Sequence, residues 1–270
     1  MNSAQNGGAA SSPRRGDGGS AITLGRASVS PLRPEGAGAV MAGRAVGEVV
    51  GDGERTALWR ELDYFPTPPW AARAGGEVLA LLDPQARSVW EPACGEGHMA
   101  AALGERFVVF GSDIHPFGYG APYDFLAEAG PDYAVQDDGF YADWIVTNPP
   151  FRTAAEFLRL GLTRARRGVA LLLRLAFLEG TARYRLLHGP QPLTLCCPFA
   201  ERVPMTLGRW DPAASSATAY AWFFWMKGAA PQPLRGIPPG SKARLSTAED
   251  AHRFGWRSER GLLDRMEAGK

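Results

Sequence analysis

The amino-acid sequence predicts an open α/β fold, in which a mostly parallel sheet carries helices on both faces. Two stretches of the chain indicate it, because each contains a short apolar run of strand character, a polar turn and a helical pattern. The first stretch begins at Ser88 and turns at residues 91–97, and the second begins at Trp144 and turns at residues 147–151. In open α/β sheets, ligands bind beyond the carboxyl ends of the strands. We therefore expect the first turn to hold a cofactor and the second to carry out chemistry.

The composition is that of a soluble globular protein with one catalytic domain and tails. The chain has 270 residues, of which 45% are apolar and 21% are charged, and these values are ordinary for a globular domain. The charge is unevenly distributed, since residues 91–143 contain ten Asp or Glu and one Arg, whereas residues 152–209 contain ten Arg and three Glu. The basic half directly follows the second turn, which favours nucleic acid as a partner.

Cysteine usage and hydropathy indicate a cytoplasmic protein without a metal site. Cys94, Cys196 and Cys197 lack the spacing of metal ligands and cannot form a disulfide framework. No apolar stretch reaches the roughly 18 residues that span a bilayer, and the start of the chain lacks the apolar core of a signal peptide. We expect a soluble, cytoplasmic protein that is not bound to a membrane.

Three segments are predicted along the chain. Residues 1–55 are rich in Gly, Ala, Ser and Arg without sustained periodicity, so we expect a disordered tail. The arginines of this tail could alternatively form a basic arm on DNA. Order is expected to begin near Leu58, and residues 56–228 form the predicted catalytic domain. Residues 229–270 are predicted to be a Pro- and Gly-rich linker followed by a short polar helix over residues 248–266.

Strands and helices alternate within the predicted domain. Apolar runs predict strands over residues 88–91, 107–110, 142–147, 169–173, 193–198 and 218–226. Apolar periodicity predicts one helix that starts at Pro68 and Pro69, where a missing N–H costs little, and further helices over residues 99–106 and 154–166. The third strand is expected to be short, because the residues from Pro116 to Gly120 leave little room for a crossover helix.

Three motifs carry a resemblance to a known family. Residues 65–69 are Phe-Pro-Thr-Pro-Pro, residues 91–97 are Glu-Pro-Ala-Cys-Gly-Glu-Gly, and residues 148–151 are Asn-Pro-Pro-Phe. In this order they resemble class I S-adenosylmethionine (SAM) dependent methyltransferases, specifically the DNA adenine-N6 enzymes with an Asn/Asp-Pro-Pro-aromatic signature. The resemblance covers the whole core and implies a Rossmann-like sheet of seven mostly parallel strands with an antiparallel last strand. It also implies SAM as cofactor, DNA as partner and a solitary enzyme of phage or prophage type.

The residues around the first turn suit a SAM molecule chemically. Glu91 ends a buried strand, where an acid is costly unless it meets a cation such as the ammonium group of SAM. Gly95 and Gly97 let the backbone pass close to a bound molecule, which a β-carbon would obstruct. Asp113 lies about 20 residues past the turn, where an acid can bond ribose hydroxyls, and Ile114 is expected to pack on the adenine ring. A tight turn without a ligand and an exposed loop aspartate are the alternatives.

The resemblance adds further contacts to the cofactor. It implies that Thr67 touches the methionine part of SAM, that Asp124 accepts a hydrogen bond from the adenine amino group, and that Phe125 packs on the adenine ring. Apart from the resemblance, Asp124 would be an ordinary loop acid, and the segment around Thr67 would only pack the helix on the sheet. The predicted cofactor-binding residues are Thr67, Glu91, Pro92, Ala93, Cys94, Gly95, Gly97, Asp113, Ile114, Asp124, Phe125 and Asn148.

The tetrapeptide at the second turn is the predicted catalytic element. An exocyclic amine on an aromatic ring is a poor nucleophile, because its lone pair is delocalised into the ring. The side-chain oxygen of Asn148 and the backbone carbonyl of Pro149 could each accept one N–H, which favours a pyramidal nitrogen. Pro149 and Pro150 fix that carbonyl rigidly, and Phe151 is expected to stack on a base rotated out of its helix. The alternative is an Asn-Pro turn that ends a strand.

Contacts to the acceptor are predicted further along the chain. Phe199 could sandwich the rotated base from the opposite side, and Arg202 and Arg209 could bind phosphates, which supply most sequence-independent affinity. Packing on an edge strand and solvated arginines are the alternatives. The C-terminal tail is too short for a target-recognition domain, so sequence specificity is expected from loops near residues 115–140 and 176–216.

Other functions share these motifs. Asn-Pro-Pro-aromatic enzymes also methylate RNA bases and a protein glutamine amide, whose nitrogens are likewise planar. A non-catalytic module that binds SAM or nucleic acid is a different class, and the intact tetrapeptide argues against it. Methylation of adenine N6 in DNA is the function that the sequence predicts.

Overall fold

Seven strands form one sheet in the computed structural model, which describes residues 52–127 and 142–255. The strands are β1 (Ser88–Glu91), β2 (Val108–Asp113), β3 (Ala121–Pro122), β4 (Trp144–Thr147), β5 (Gly168–Arg174), β6 (Leu195–Pro198) and β7 (Tyr220–Met226). Their order across the sheet is β3-β2-β1-β4-β5-β7-β6. Neighbouring strands from β3 to β5 pair in parallel, and β7 is antiparallel to both β5 and β6. The predicted Rossmann-like sheet of seven mostly parallel strands with an antiparallel last strand is confirmed.

Helices cover both faces of the sheet. They are α1 (Asp52–Glu61), α2 (Pro69–Leu82), α3 (His98–Leu103), α4 (Ala154–Arg164), α5 (Tyr184–His188), α6 (Ser241–Leu245) and α7 (Ala248–Phe254). In β7, Trp222 and Phe224 belong to the buried cluster that includes α2 and α3, whereas Phe223 and Trp225 belong to the cluster that includes α4. A strand that is buried on both faces is apolar at consecutive positions, which is why this aromatic run predicts a strand.

Helix α2 fixes the segment before it at the carboxyl edge of the sheet. Pro68 and Pro69 start the helix where a missing N–H costs little. Trp222 of β7 donates a hydrogen bond of 2.9 Å from Nε1 to the backbone oxygen of Ala71. A β-carbon at Gly75 would lie only 2.2 Å from the same indole ring, so helix and strand are in close contact. This contact holds the start of α2, and with it the segment directly before the helix, close to the sheet.

Several element boundaries differ from the predictions. Helix α1 begins at Asp52, so order begins before the predicted Leu58, and the last residues of the predicted disordered tail belong to this helix. The rest of that tail lies outside the described residues. Helix α3 ends at Leu103, three residues earlier than predicted, because Gly104 follows it. Strand β2 continues to Asp113, so the predicted ribose-binding acid is the last residue of a strand.

The segment after β7, predicted to be a linker, packs on the sheet and on α2. The backbone of Ile237 pairs with that of Phe199 next to β6. An ion pair of 2.6 Å joins Arg73 in α2 to Asp250 in α7. Residues 229–255 are therefore part of the same compact unit as the sheet.

The remaining predictions, about the chain ends and loops, concern in part residues that the structure does not describe. The predicted C-terminal helix begins at Ala248 as expected and ends at Phe254, and residues 256–270 are not described. Residues 128–141, which include much of the first predicted specificity loop, are likewise not described. No helix within residues 52–127 and 142–255 is long and apolar enough to cross a membrane.

Candidate active site

A cavity of about 420 Å³, the first cavity, lies at the carboxyl ends of β1, β2 and β4. Residues 61–67, which connect α1 to α2, form one of its walls. The predicted cofactor-binding residues that line it are Thr67, Glu91, Pro92, Ala93, Cys94, Asp113, Ile114, Asp124, Phe125 and Asn148. Cavities of roughly 300 to 1,000 Å³ are the usual sites of small molecules. The topology thus brings these residues together around a space of suitable size for a cofactor.

The two glycines of the first turn do not line this cavity. Gly95 has a φ of 53° and Gly97 a φ of 85°, in the left-handed region that glycine adopts readily. A β-carbon at Gly95 would lie 2.6 Å from the ring of Tyr64, and one at Gly97 would lie 2.2 Å from the ring of Tyr119. The glycines therefore make room for two tyrosine rings of the protein itself, a reason that the sequence did not suggest.

Glu91 is a buried acid that forms no ion pair with any basic side chain of residues 52–127 and 142–255. Its side chain is 2% exposed, and its Oε2 has no hydrogen-bond partner within the described residues. Burial and the nearby charge of Asp113 raise the pKa of Glu91 well above its ordinary value, and a backbone hydrogen bond from Ala100 offsets this only in part. A buried carboxylate is costly unless it is paired. A cationic group bound in the cavity would supply the missing partner, as the ammonium group of SAM would.

Asp113 joins the end of β2 to the first turn. Its Oδ2 accepts a hydrogen bond of 2.8 Å from the backbone N–H of Gly95, and its Oδ1 accepts one of 2.9 Å from that of His115. Burial raises the pKa of this carboxyl group. Each carboxylate oxygen can accept a second hydrogen bond, so a contact to a ligand hydroxyl is compatible with this positioning role. Ile114 beside it is 61% exposed and lines the same cavity.

Asp124 and Phe125, which follow β3 in the chain, also line the first cavity. Asp124 is exposed, and its Oδ1 accepts a hydrogen bond of 2.9 Å from the backbone N–H of Leu126. Phe125 is buried, stacks on Phe157 with ring centroids 4.9 Å apart, and meets Trp90 edge-on at 5.2 Å. Phe125 is thus held rigidly as part of an apolar wall, which suits packing against a planar ring.

Asn148 has an oriented amide with an unused acceptor. Its Nδ2 donates a hydrogen bond of 2.8 Å to the backbone oxygen of Phe65. Its Oδ1 is buried and makes no hydrogen bond to any described residue. Most buried polar atoms are hydrogen-bonded, so an exception calls for an explanation. A ligand N–H reaching this oxygen from the cavity would provide one.

Phe151 lines a second cavity, of about 370 Å³, which adjoins the first. The second cavity is lined by Asp63, Phe151, Arg152, Leu173, Arg174, Ala176, Phe177 and Arg183, and it shares Asp63 and Arg152 with the first. The guanidinium carbon of Arg174 lies 4.5 Å from the centroid of the Phe151 ring. Of the two prolines, Pro150 lines the first cavity and Pro149 is buried. The tetrapeptide therefore stands between the two cavities.

The predicted acceptor contacts Phe199, Arg202 and Arg209 line neither cavity. Phe199 packs edge-on against Trp70 at 5.5 Å, Arg202 is exposed, and Arg209 is half-buried in a loop after β6. Instead, Phe177 and three arginines, Arg152, Arg174 and Arg183, join Phe151 at the second cavity. A signal for one of these arginines is in the sequence, because Arg174 ends the apolar run of β5, the strand next to β4. Parallel neighbours end at the same edge of a sheet.

His98 is a residue of the first cavity that the sequence analysis missed. It begins α3, is 3% exposed and packs on Phe254 with ring centroids 4.5 Å apart. Its Nε2 lies 4.0 Å from the carboxylate of Glu96 and makes no hydrogen bond within residues 52–127 and 142–255. Burial, mainly, lowers the pKa of His98 to about 4, so the imidazole is neutral at neutral pH. Its place directly after the glycine turn was the available signal.

The part of the chain that the structure describes contains no cluster of metal ligands. There, no group of three or more His, Cys, Asp or Glu side chains could hold a metal ion. Cys94, Cys196 and Cys197 are buried free thiols. Burial raises the pKa of Cys196 to about 11 and that of Cys197 to about 12, so both remain protonated and unreactive at neutral pH.

Comparisons with known proteins found only distant structural likenesses. No family model matches the chain, and no curated protein matches its sequence. Among solved structures, it is similar to a type I restriction-modification methyltransferase subunit from Streptococcus thermophilus (13% identity, 78% of this chain and 55% of that one, TM-score 0.48). It is also similar to a modification subunit of a putative type I restriction enzyme from Vibrio vulnificus (17% identity, 80% of this chain and 56% of that one, TM-score 0.45). A third similar structure is a putative RNA methyltransferase from Pyrococcus horikoshii (14% identity, 64% of this chain and 97% of that one, TM-score 0.43).

These likenesses are distant. The chain spans about half the length of the two restriction-modification subunits, 55% and 56%. All three identities are below 20% and all three TM-scores are below 0.5. The activities that these names describe are therefore not carried over to this chain, and its function has to be argued from its own residues.

Proposed function

We propose that this protein is a SAM-dependent methyltransferase that methylates the exocyclic N6 amine of adenine in DNA. The observation that carries the proposal is the buried, unpartnered Oδ1 of Asn148 at the first cavity. The amide is held from its other end by the carbonyl of Phe65, so the free oxygen has a fixed direction. A preorganised acceptor of this kind suits an amine whose N–H groups must be held during reaction.

The first cavity has suitable groups for both ends of SAM. Glu91, whose Oε2 has no partner among the described residues, would receive the ammonium group. Thr67, in the wall formed by residues 61–67, would contact the methionine part of SAM. Asp113 and Asp124 would accept hydrogen bonds from the nucleoside, and Ile114 would cover one face of its base. Bound there, SAM supplies an electrophilic methyl group, and its sulfur keeps the electron pair when the S–CH₃ bond breaks.

The tetrapeptide would prepare the acceptor nitrogen. Oδ1 of Asn148 accepts one N–H of the amine and the backbone carbonyl of Pro149 accepts the other, so the nitrogen lone pair is freed from the ring to form the new N–CH₃ bond. Neither acceptor is a base at neutral pH, and the proton lost by the methylated amine therefore passes to water. Contacts that strengthen as the nitrogen becomes pyramidal favour the transition state over the ground state, and only such contacts accelerate the chemical step.

Nucleic acid is favoured over a protein acceptor by the second cavity. Phe151 lines it, together with Arg152, Arg174 and Arg183. Aromatic faces stack on bases, and arginines bind phosphates. A glutamine side chain as acceptor requires neither a stacking surface nor a phosphate site. DNA rather than RNA is the choice that the resemblance of the Asn-Pro-Pro-Phe motif implies.

The proposal is tested by incubating the full chain with methyl-tritiated SAM and, separately, DNA, RNA and protein acceptors. Nucleoside and amino-acid analysis of the labelled product then identifies the modified group. We expect tritium in DNA, as N6-methyladenine. Label in RNA or in protein glutamine would contradict the assignment of the acceptor, and SAM binding by calorimetry without transfer to any acceptor would contradict the assignment as an enzyme.

A further inference from the structure

The second cavity has an excess of positive charge. Arg152, Arg174 and Arg183 line it, against the single carboxylate of Asp63. None of the three arginines forms an ion pair with a carboxylate of residues 52–127 or 142–255; the arginines that do so are Arg73, Arg159, Arg167 and Arg244. Like charges that converge on a cavity repel one another unless an anion joins them. The cavity is therefore electrostatically suited to an anionic ligand.

The three arginines differ in how firmly they are held. Arg152 donates to the backbone oxygens of Arg60, at 3.2 Å, and Glu61, so its guanidinium is committed to the end of α1. Arg183 donates from Nη1 to the oxygens of Ala176 and Glu179, both at 3.0 Å, which leaves most of its five N–H donors available. Arg174 is exposed.

Arg174 covers the aromatic face on which an acceptor base would stack. Its guanidinium carbon is 4.5 Å from the centroid of Phe151, within the range of a cation–π contact. The guanidinium group is planar and stacks on aromatic rings much as a base does. Phe177, the other aromatic ring of this cavity, is covered in the same way by Arg183 at 5.0 Å. Both rings of the cavity therefore carry a guanidinium that is not neutralised by a described carboxylate.

We propose that the second cavity is a nucleotide subsite in which Arg174 and Arg183 bind a phosphodiester group of the acceptor strand. The acceptor base takes the face of Phe151 that Arg174 now covers, and the displaced guanidinium exchanges this ring for phosphate oxygens. No covalent step is involved; a cation–π contact is replaced by charge-assisted hydrogen bonds, which are stronger. This inference rests on the proposed function, because it assigns the phosphate contacts of the same acceptor.

The test is the binding of a fluorescein-labelled DNA duplex, measured by anisotropy with S-adenosylhomocysteine present. The variants Arg174→Ala and Arg183→Gln are compared with wild type. The control is Arg159→Ala, which removes one positive charge at an exposed position of α4, where Arg159 pairs with Glu156. We expect each cavity variant to bind about ten- to a hundred-fold more weakly, the loss typical of a hydrogen bond to a charged group. Between roughly 50 and 200 mM salt, the slope of log K against log salt should fall by about 1 for each arginine removed.

The control should keep the affinity and the salt slope of wild type. A thermal shift with S-adenosylhomocysteine that equals that of wild type confirms that each variant is folded around the first cavity. If Arg174→Ala and Arg183→Gln bind DNA like the control, the subsite is wrong. The subsite is also wrong if wild type does not bind DNA at low salt, or if Arg159→Ala weakens DNA binding as much as the cavity variants do.

Failure of this inference is distinguishable from failure of the proposed function. Wild type that methylates DNA while both cavity variants bind it normally overturns the phosphate subsite and leaves the methyltransferase intact. Arginine-dependent DNA binding without transfer of tritium to any base supports the subsite and overturns the proposed reaction.

Discussion

The side chain of Asn148 donates a hydrogen bond of 2.8 Å to the backbone carbonyl of Phe65, 83 residues earlier in the chain. This bond fixes the amide and directs its other end, Oδ1, which is buried without a partner among the described residues. Phe65 is itself held in place because it precedes α2, whose prolines and tryptophan contacts anchor it to the sheet. The proposed catalytic acceptor is therefore positioned from two elements that are distant in sequence.

Replacement of Glu91 by Gln should stabilise the ligand-free protein and weaken cofactor binding. Glutamine removes the carboxylate and can offer an ammonium group only a neutral acceptor, not an ion pair, so S-adenosylhomocysteine should bind more weakly by about 1.5 to 3 kcal/mol. Calorimetry measures this loss. Glu156→Gln, at an exposed position on α4, is the control, and equal affinity for wild type and Glu91→Gln would contradict the placement of the ammonium group.

The stabilising effect of Glu91→Gln should depend on pH with a definite sign. Burial raises the pKa of Glu91 in the folded state above its unfolded value, so the unfolded state loses this proton first, and the free energy of unfolding falls as the pH rises above the unfolded pKa. The gain in free energy of unfolding should therefore be larger at about pH 8 than at about pH 4. Urea denaturation at both pH values checks this, and a gain that is larger at the acidic pH would contradict it.

Replacement of Asp113 by Asn should reduce both stability and cofactor affinity. The carboxylate accepts N–H groups of Gly95 and His115 on separate oxygens, and an amide can accept only one of them. The unpaired N–H should lower the free energy of unfolding by about 1 to 3 kcal/mol. Asp211→Asn, whose carboxylate accepts one N–H from Ala213, is the control outside both cavities. A loss of affinity with unchanged stability would show that Asp113 contacts the ligand but does not hold the turn.

Protonation of His98 should destabilise the protein in mildly acidic solution. Its folded pKa is lowered to about 4 by burial, so the neutral form is favoured in the folded state and stability is lost as the pH falls from about 6.5 towards 4. The loss should reach about 2 kcal/mol near pH 5. In urea denaturation, His98→Phe should remove most of this dependence of the free energy of unfolding on pH. The control His188→Phe, at an exposed position, should not. An unchanged slope in His98→Phe would contradict the assignment.

The strands and the first cavity could be predicted from local sequence. Val169 to Leu173 and Trp222 to Trp225 are apolar at consecutive positions, which is the pattern of strands buried on both faces. Because parallel strands place their carboxyl ends at one edge, Glu91, Asp113 and Asn148 had to come together once the strands were identified.

Other features depend on tertiary contacts that no local pattern records. The sequence does not show that Tyr64 and Tyr119 pack on the two glycines of the first turn. Phe199 was expected to sandwich the acceptor base, but its backbone pairs with that of Ile237 and its ring packs against Trp70. Phe177, in the turn after β5, lines the second cavity together with Phe151, which no local pattern indicated.

The most direct test of the account is the rate of tritium transfer from SAM to DNA by Asn148→Ala. Loss of an oriented acceptor that acts in the transition state should lower this rate by about 10² to 10³, by analogy with oxyanion-hole donors, while calorimetry shows cofactor affinity close to that of wild type. Asn148→Asp keeps an acceptor oxygen and should retain partial activity, and Gln85→Ala, at an exposed amide outside both cavities, should retain full activity. An Asn148→Ala protein that methylates DNA at nearly the wild-type rate would contradict the proposed role of this residue and the assignment of adenine N6 with it.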